Sequence, residues 1–123
     1  MLELTLPYPP SVNHYWIERA VKTKTGKFRV MKCIGAKGKA FREAVAEIVP
    51  EMESFKEDNL LVTLEVYVPD KRKRDLDNVL KATLDALEHA GVYEDDSQIQ
   101  HLIAVKHEKV AGGKLIVTIQ EEE

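Results

Sequence analysis

Two acidic clusters bracket one stretch of this sequence, and their spacing points to a hard cation acting on a phosphate. Four basic residues, Lys71, Arg72, Lys73 and Arg74, run directly into Asp75-Leu76-Asp77-Asn78. A helix-like run closed by Gly91 follows, and then Glu94-Asp95-Asp96. On an extended segment residues two apart project to the same side, so Asp75 and Asp77 can reach one cation. If the strand that begins at Ile99 returns beside the one ending at Val68, Asp95 or Asp96 comes back toward that pair. Three carboxylates with waters and a substrate oxygen suit Mg2+, which takes oxygen ligands and keeps open positions. Such an ion activates a water, neutralises charge on a phosphate, or both. Lys81 lies four residues after Asp77, on the same helix face, within reach of a scissile phosphate whose oxygens gain charge. Asp85, four residues further, reads as an ion-pair partner that positions the Lys81 ammonium rather than as a ligand. Asn78 reads as a cap or as a support for the ligands.

Each signal has an ordinary counterpart. An Asp-x-Asp pair at a helix start commonly only caps the helix and complements its dipole, and an Asp-Asp in a turn is commonly only a turn. Their joint appearance, with Lys81 at the right offset and Arg74 adjacent, favours a metal site. An EF-hand is a poor match, because the glycine and the terminal glutamate of that loop are missing. His14, His89, His101 and His107 show no paired metal-ligand spacing, and the single cysteine, Cys33, excludes an internal disulfide or a cysteine-rich zinc site.

The elements that must position these residues are legible. Leu2, Leu4 and Leu6 alternate as a half-buried strand ended by Pro7, Pro9 and Pro10, and Ser11–Trp16 reads as a loop or strand entry. A hairpin is expected between Tyr15–Val21 and Phe28–Cys33, with its tip at Lys22–Lys27. A helix is expected over Ala36–Val49, buried through Phe41, Ala44, Val45, Ile48 and Val49. Leu60–Val68 is the clearest strand, with Val62, Leu64, Val66 and Val68 on one face. A second helix is expected from Asp77 to Ala90, capped by Asp75 or Asp77 and stopped by Gly91. Its buried face should carry Val79, Leu80, Leu84, Leu87 and Ala90. Ile99, His101, Ile103 and Val105 alternate as the next strand, and a turn at Ala111–Lys114 leads into a last strand over Leu115–Ile119. The expectation is one α+β domain over residues 1–123, with a mixed or antiparallel sheet and two main helices.

Composition fits a single globular domain: 123 residues, 44% hydrophobic and 32% charged. No apolar run approaches the roughly 20 residues of a membrane span, and MLELTLPYPP lacks the regions of a signal peptide, so a cytoplasmic location is expected. The formal net charge of −3 hides a segregation: nine Lys or Arg and no acid lie between Arg19 and Arg42. With Lys71–Arg74 these can present a positive surface to phosphate despite the acidic total.

The chain resembles the RusA-type Holliday junction resolvases, small endodeoxyribonucleases often carried by bacteria and their prophages. Two motifs carry the resemblance. One is Pro9-Pro10-Ser11-Val12-Asn13 with Tyr15-Trp16. The other is Arg74-Asp75-Leu76-Asp77-Asn78 followed by Lys81, Asp85, Leu87, Ala90-Gly91-Val92 and Asp95-Asp96. The resemblance implies a homodimeric α+β fold that binds four-way DNA junctions and cuts two opposed strands using Mg2+. It implies Asp75, Asp77 and Asp96 as the metal-binding catalytic acids, so that Asp96 is chosen over Asp95, and Lys81 as the essential basic residue. Asp95 would be auxiliary, and Arg74 with Lys71, Arg72 and Lys73 would contact DNA. A two-fold protein also matches a substrate of near two-fold symmetry that needs two symmetric nicks.

Two other readings compete. In a non-catalytic DNA-binding module, Asp75, Asp77 and Asp96 would serve only as caps and turn residues. A phosphohydrolase of small nucleotides is the weaker reading, because no glycine-rich phosphate loop is present.

Overall fold

The strand Leu60–Tyr67 (β4) is the spine of the molecule. Its alternation is complete: Leu60, Val62, Leu64 and Val66 are buried, and Leu61, Thr63, Glu65 and Tyr67 lie half-buried on the other face. This is the period-2 pattern of a sheet with one face on a core. The structure is a computed structural model that describes residues 1–122, apart from the side chains of Val12 and Asn13.

In chain order the elements are β1 (Leu2–Pro7), α1 (Val12–Tyr15), β2 (Trp16–Lys22), β3 (Phe28–Ile34), α2 (Ala36–Ile48), β4, α3 (Asp77–His89), β5 (Ile99–His107) and β6 (Lys114–Glu121). A short 3-10 turn, Asp96–Gln98, precedes β5. The four-stranded sheet has the order β1-β6-β4-β5, and β2-β3 forms a separate antiparallel ribbon. β6 runs antiparallel to β1 and β4, whereas β5 runs parallel to β4, pairing Leu60 with Ile99 and Tyr67 with His107. The fold is therefore α+β with a mixed sheet, as the sequence indicates. The Ser11–Trp16 segment differs from expectation: it forms the helical turn α1 before Trp16 enters the ribbon.

Both long helices cover the core face of the sheet. α2 buries Gly38, Phe41 and Val45, while Ile48 is left 39% exposed. Gly38 is required by a close approach: a Cβ there would lie 2.6 Å from the Tyr15 backbone oxygen and 2.8 Å from Ile34 Cγ2. α3 buries Val79, Ala82, Thr83, Ala86 and Leu87, so Leu80 and Leu84 fall at the margin of the buried stripe. Its C-terminus closes as a Schellman motif. Gly91 takes φ 83°, its N–H donates to Glu88 O, and the Val92 N–H donates to Leu87 O.

β5 departs most from the sequence pattern. It lies at the edge of the sheet, and Leu102, Ile103 and Val105 are 40, 47 and 41% exposed. Alternation alone assigns such a strand a buried face, but an edge position removes half of the neighbours that would bury it.

Candidate metal and nucleic-acid site

The N-terminus of α3 leaves its carboxylates free. Leu76 is the N-cap residue, in αR geometry with no side-chain cap, and the Asn78 and Val79 N–H groups donate to the Asp75 and Leu76 carbonyls at 3.2 Å. The expected capping role of Asp75 or Asp77 is therefore not realised, because the preceding turn satisfies those amides with backbone oxygens. Both aspartates are exposed, and neither carboxylate takes part in a described hydrogen bond or ion pair. Asn78 is exposed and does not cap the helix; it lines a cleft of about 120 Å³ with Arg74, Pro9, Pro10 and Ser11. The two sequence motifs thus meet at this end of α3. The side chain of Asn13, from the first motif, lies outside the described residues.

The basic run beside these acids is partly anchored. Asp70 accepts from the Arg72 backbone N–H at 3.0 Å and from Arg74 Nη2 at 2.8 Å. The Arg72 amide, with Arg74 and Arg72 near it, holds the Asp70 carboxyl below its usual range. Arg74 also lies 5.6 Å from the centre of the Tyr8 ring, and Lys106 Nζ donates to the Arg74 carbonyl at 2.6 Å. Lys71 and Lys73 are exposed and take part in no described ion pair.

Lys81 is exposed one turn along, with Nζ 5.5 Å from the centre of the Trp16 ring. Lys32 reaches the same ring at 5.9 Å, so Trp16 is a cation platform that spacing did not reveal. Asp85 is not the partner of Lys81. It faces α2, where Arg42 Nη2 and Nε donate to its Oδ2 at 2.7 and 2.9 Å and the Tyr15 hydroxyl donates to the same oxygen. The reason is angular: Asp85 sits on the flank of α3 that packs against α1 and α2, where a nearer cation waits. Burial, and then the bond to Asp85, push the Tyr15 hydroxyl up to about 12. Asp85 therefore ties three helices together and holds Tyr15 beside Trp16.

The second acidic cluster lies at the other end of α3. Glu88, Asp95 and Asp96 each place one carboxylate oxygen within 4.8 Å of the others. Asp95 is engaged structurally: it caps the 3-10 turn by accepting from the Ser97 N–H at 2.8 Å, which holds its carboxyl below the usual range. The Asp96 N–H donates to Glu88 at 2.9 Å, and the Asp96 carboxylate receives no N–H among the described hydrogen bonds. Sequence reasoning missed Glu88. The available signal was its position seven residues after Lys81, on the same helix face.

The two clusters do not meet within one chain. Asp77 opens α3 and Glu88 lies in its last turn, so at about 1.5 Å per residue the helix holds them roughly 17 Å apart along its axis. β5 does return beside β4, but in parallel, so its start and Asp96 lie beside the start of β4 rather than its end. The expected approach of Asp95 or Asp96 to Asp75 and Asp77 is therefore absent inside a single subunit. In donor chemistry the residues still fit a hard cation: all are carboxylates, and Asp75 and Asp77 carry no competing partner among the described contacts.

A family model described as "Endodeoxyribonuclease RusA" matches residues 7–120. A crossover junction endodeoxyribonuclease of Enterobacteria phage HK97 is 38% identical, over 98% of this chain and 95% of that one. The crossover junction endodeoxyribonucleases of Escherichia coli K12 and of Enterobacteria phage 82 are 36 and 37% identical, each over 96% of this chain and 92% of their own. A fold with free aspartates beside a basic run, matched along nearly its whole length, places this chain in the RusA endodeoxyribonuclease family.

Proposed function

We propose that this protein is a Mg2+-dependent endodeoxyribonuclease that resolves four-way DNA junctions in recombination and repair, acting as a homodimer in the cytoplasm. The observation that carries the reading is the N-terminus of α3. There Asp75 and Asp77 are spent on neither capping nor pairing, next to Lys71–Arg74 and one turn from Lys81. Among the described residues no helix is long and apolar enough to cross a membrane.

Asp75, Asp77 and Asp96 are the residues that would hold the metal, with Glu88 beside Asp96 and Asp95 fixing the turn that carries it. When bound, the ion supplies charge neutralisation at the phosphate and an acidified water. Lys81, held against Trp16, presents an ammonium to the scissile phosphate and stabilises charge on its oxygens. Lys71 and Lys73 contact neighbouring phosphates, and Arg74, fixed by Asp70 and Tyr8, sets the register of the strand.

The separation along α3 supports a stronger form of this reading. One ion bridges ligand oxygens only about 4 Å apart, whereas Asp77 and Asp96 sit at opposite ends of a helix roughly 20 Å long. A complete set then needs Asp75 and Asp77 of one subunit with Asp96 of its partner. Two such sites per dimer give the paired nicks a two-fold junction requires.

The direct test is cleavage of an end-labelled synthetic four-way junction with Mg2+, beside a linear duplex and the Asp77→Asn variant. Paired symmetric nicks in the junction only, lost in the variant while binding persists, are expected. Wild-type cutting by Asp77→Asn would remove the assigned site. Tight binding without cutting in Mg2+ or Mn2+ would leave a binding module.

A further inference from the structure

The β2-β3 ribbon stands apart from the core. It forms its own two-stranded sheet, and Glu18–Ala20 and Phe28–Lys32 are exposed throughout. Phe28 at its tip is 73% exposed and Val30 67%. A single exposed apolar side chain is ordinary, but an aromatic and a β-branched residue lined up on one face of a projecting ribbon mark a binding surface. Opposed residues of an antiparallel pair share a face. Lys22 with Phe28, Ala20 with Val30 and Trp16 with Ile34 therefore lie on one side, and Val21 with Arg29 and Arg19 with Met31 on the other. Both sides bear cations: six Lys or Arg, against the single Glu18, lie between Trp16 and Ile34. None of the six is in an ion pair among the described residues. The Phe28 face begins beside Lys81. Trp16 lies at its root, and Lys81 and Lys32 both stand over the Trp16 ring, at 5.5 and 5.9 Å from its centre.

We propose that this ribbon lies in the major groove of one duplex arm of the DNA, with the Phe28 face toward the base edges. The inference rests on the endodeoxyribonuclease reading above and adds to it an arm-gripping element remote from the acids. Size selects the groove. The major groove is about 12 Å wide and about 8.5 Å deep and admits a two-stranded ribbon, whereas the minor groove, about 6 Å wide, does not. The chemistry agrees. A groove offers phosphates on both walls and, on its floor, base edges with thymine methyls. Phe28 and Val30 cover the floor, while Arg19 and Arg29, on the face away from the bases, reach the phosphates at the rim. A protein partner would have to supply carboxylates on both sides of an apolar strip to match the same surface. Length sets the reach. Trp16 to Lys22 is six residue steps, roughly 20 Å at about 3.3 Å each, which spans about six base pairs at about 3.4 Å per pair. Phe28 therefore meets the arm about six base pairs from the phosphate that Lys81 faces, and the contact rewards an intact duplex of that length.

Four-way-junction binding by the full chain, titrated in salt, tests this with substitutions at exposed positions. The Arg19→Ala, Arg29→Ala double variant loses two phosphate contacts. It should raise the dissociation constant at least about tenfold and flatten the slope of log affinity on log salt by about 1.8, at about 0.9 per contact. Phe28→Ala should weaken binding to arms of about ten base pairs severalfold and leave binding to arms of about four unchanged, because those end short of the ribbon tip. Both variants should cut at the wild-type rate once saturated, since only uniform binding is lost. In a Cys33→Ser background, Phe28→Cys should form a disulfide with a thiol-tethered base about six pairs from the cut, and not with one about twelve pairs away. Unchanged affinity and slope in both variants, or no crosslink at six pairs, overturn the ribbon alone so long as the wild type binds and cuts junctions. Weakened binding by the variants of a protein that binds junctions without cutting supports the ribbon and sinks the nuclease reading. A wild type that binds no DNA overturns both. If Phe28→Ala alters the sedimentation of the free protein and not its DNA affinity, the ribbon is a contact between copies and the proposal falls. Should the double variant fail to fold, Phe28→Ala and the crosslink decide.

Discussion

The proposed two-subunit site predicts complementation between two inactive variants. In an Asp77→Asn homodimer each site lacks the aspartate at the start of α3, and in Asp96→Asn each lacks the one after its end. A mixed dimer gathers both changes into one site and leaves the other wholly wild type. Equal amounts, allowed to exchange freely, give half mixed dimers with one intact site in two, so about one quarter of the wild-type sites return. The helix length makes the result decisive. At roughly 20 Å, Asp77 and Asp96 of one subunit cannot share an ion whose ligand oxygens lie about 2 Å from it. The assay is nicking of a labelled four-way junction in Mg2+, with exchange verified by a mass tag on one variant. Mixed dimers should nick one strand per binding event, so single nicks should far exceed paired ones. Verified exchange with no recovered nicking refutes the two-subunit site. Full activity of either variant alone refutes its assigned residue.

Three further outcomes follow from the packing. Asp85→Asn removes the carboxylate shared by Arg42 and Tyr15, whose ion pair is about one-fifth exposed on each side, and should cost about 1–3 kcal/mol in urea unfolding. No change in midpoint would mean the junction of the three helices is not held by that bond. The folded protein keeps the Tyr15 proton up to about 12 against an ordinary 10.0, so the stability tied to that hydroxyl is complete below pH 10 and is lost as pH climbs toward 12. Wild type should therefore lose more stability than Tyr15→Phe as pH rises from about 10 toward 12, and equal losses would contradict the assignment. Gly38→Ala drives a methyl to 2.6 Å from the Tyr15 carbonyl and should destabilise by about 1–3 kcal/mol, read as a lower Tm, with an unchanged Tm refuting the close contact.

Much of this was legible in the residues. The period of Leu60–Val68, the helical spacing of Phe41 and Val45, and Gly91 at the end of α3 rest on local geometry, and each of these elements falls within a residue or two of its expected bounds. Asp75 and Asp77 stood out because two carboxylates beside four cations are rare in a plain cap. Less legible was what depends on partners distant in sequence. Asp85 pairs with Arg42 rather than Lys81 because α2 packs on that flank, which spacing along one helix does not encode. The direction of β5 was available in principle, since a strand, a 13-residue helix and a neighbouring strand make a parallel crossover. That rule would have placed Asp96 at the far end of α3. The exposure of Ile103 and Val105 was hidden because alternation reads the same in an edge strand as in an inner one.

The antiparallel pairing of Leu2 with Ile119 sets the order in which the molecule can form. β1 is made first, yet its partner in the sheet is β6, and the central β4 also finds both its sheet neighbours, β5 and β6, later in the chain. Only the β2-β3 ribbon and the helices close through local contacts as they emerge from the ribosome. Until Lys114–Glu121 is available, β1 and the facing edge of β4 lack their strand partner, and closing so many long loops is slow. The nascent chain thus carries uncovered strands for most of its synthesis, and its folding rate should fall sharply with changes in β6 but hardly at all with changes at the ribbon tip.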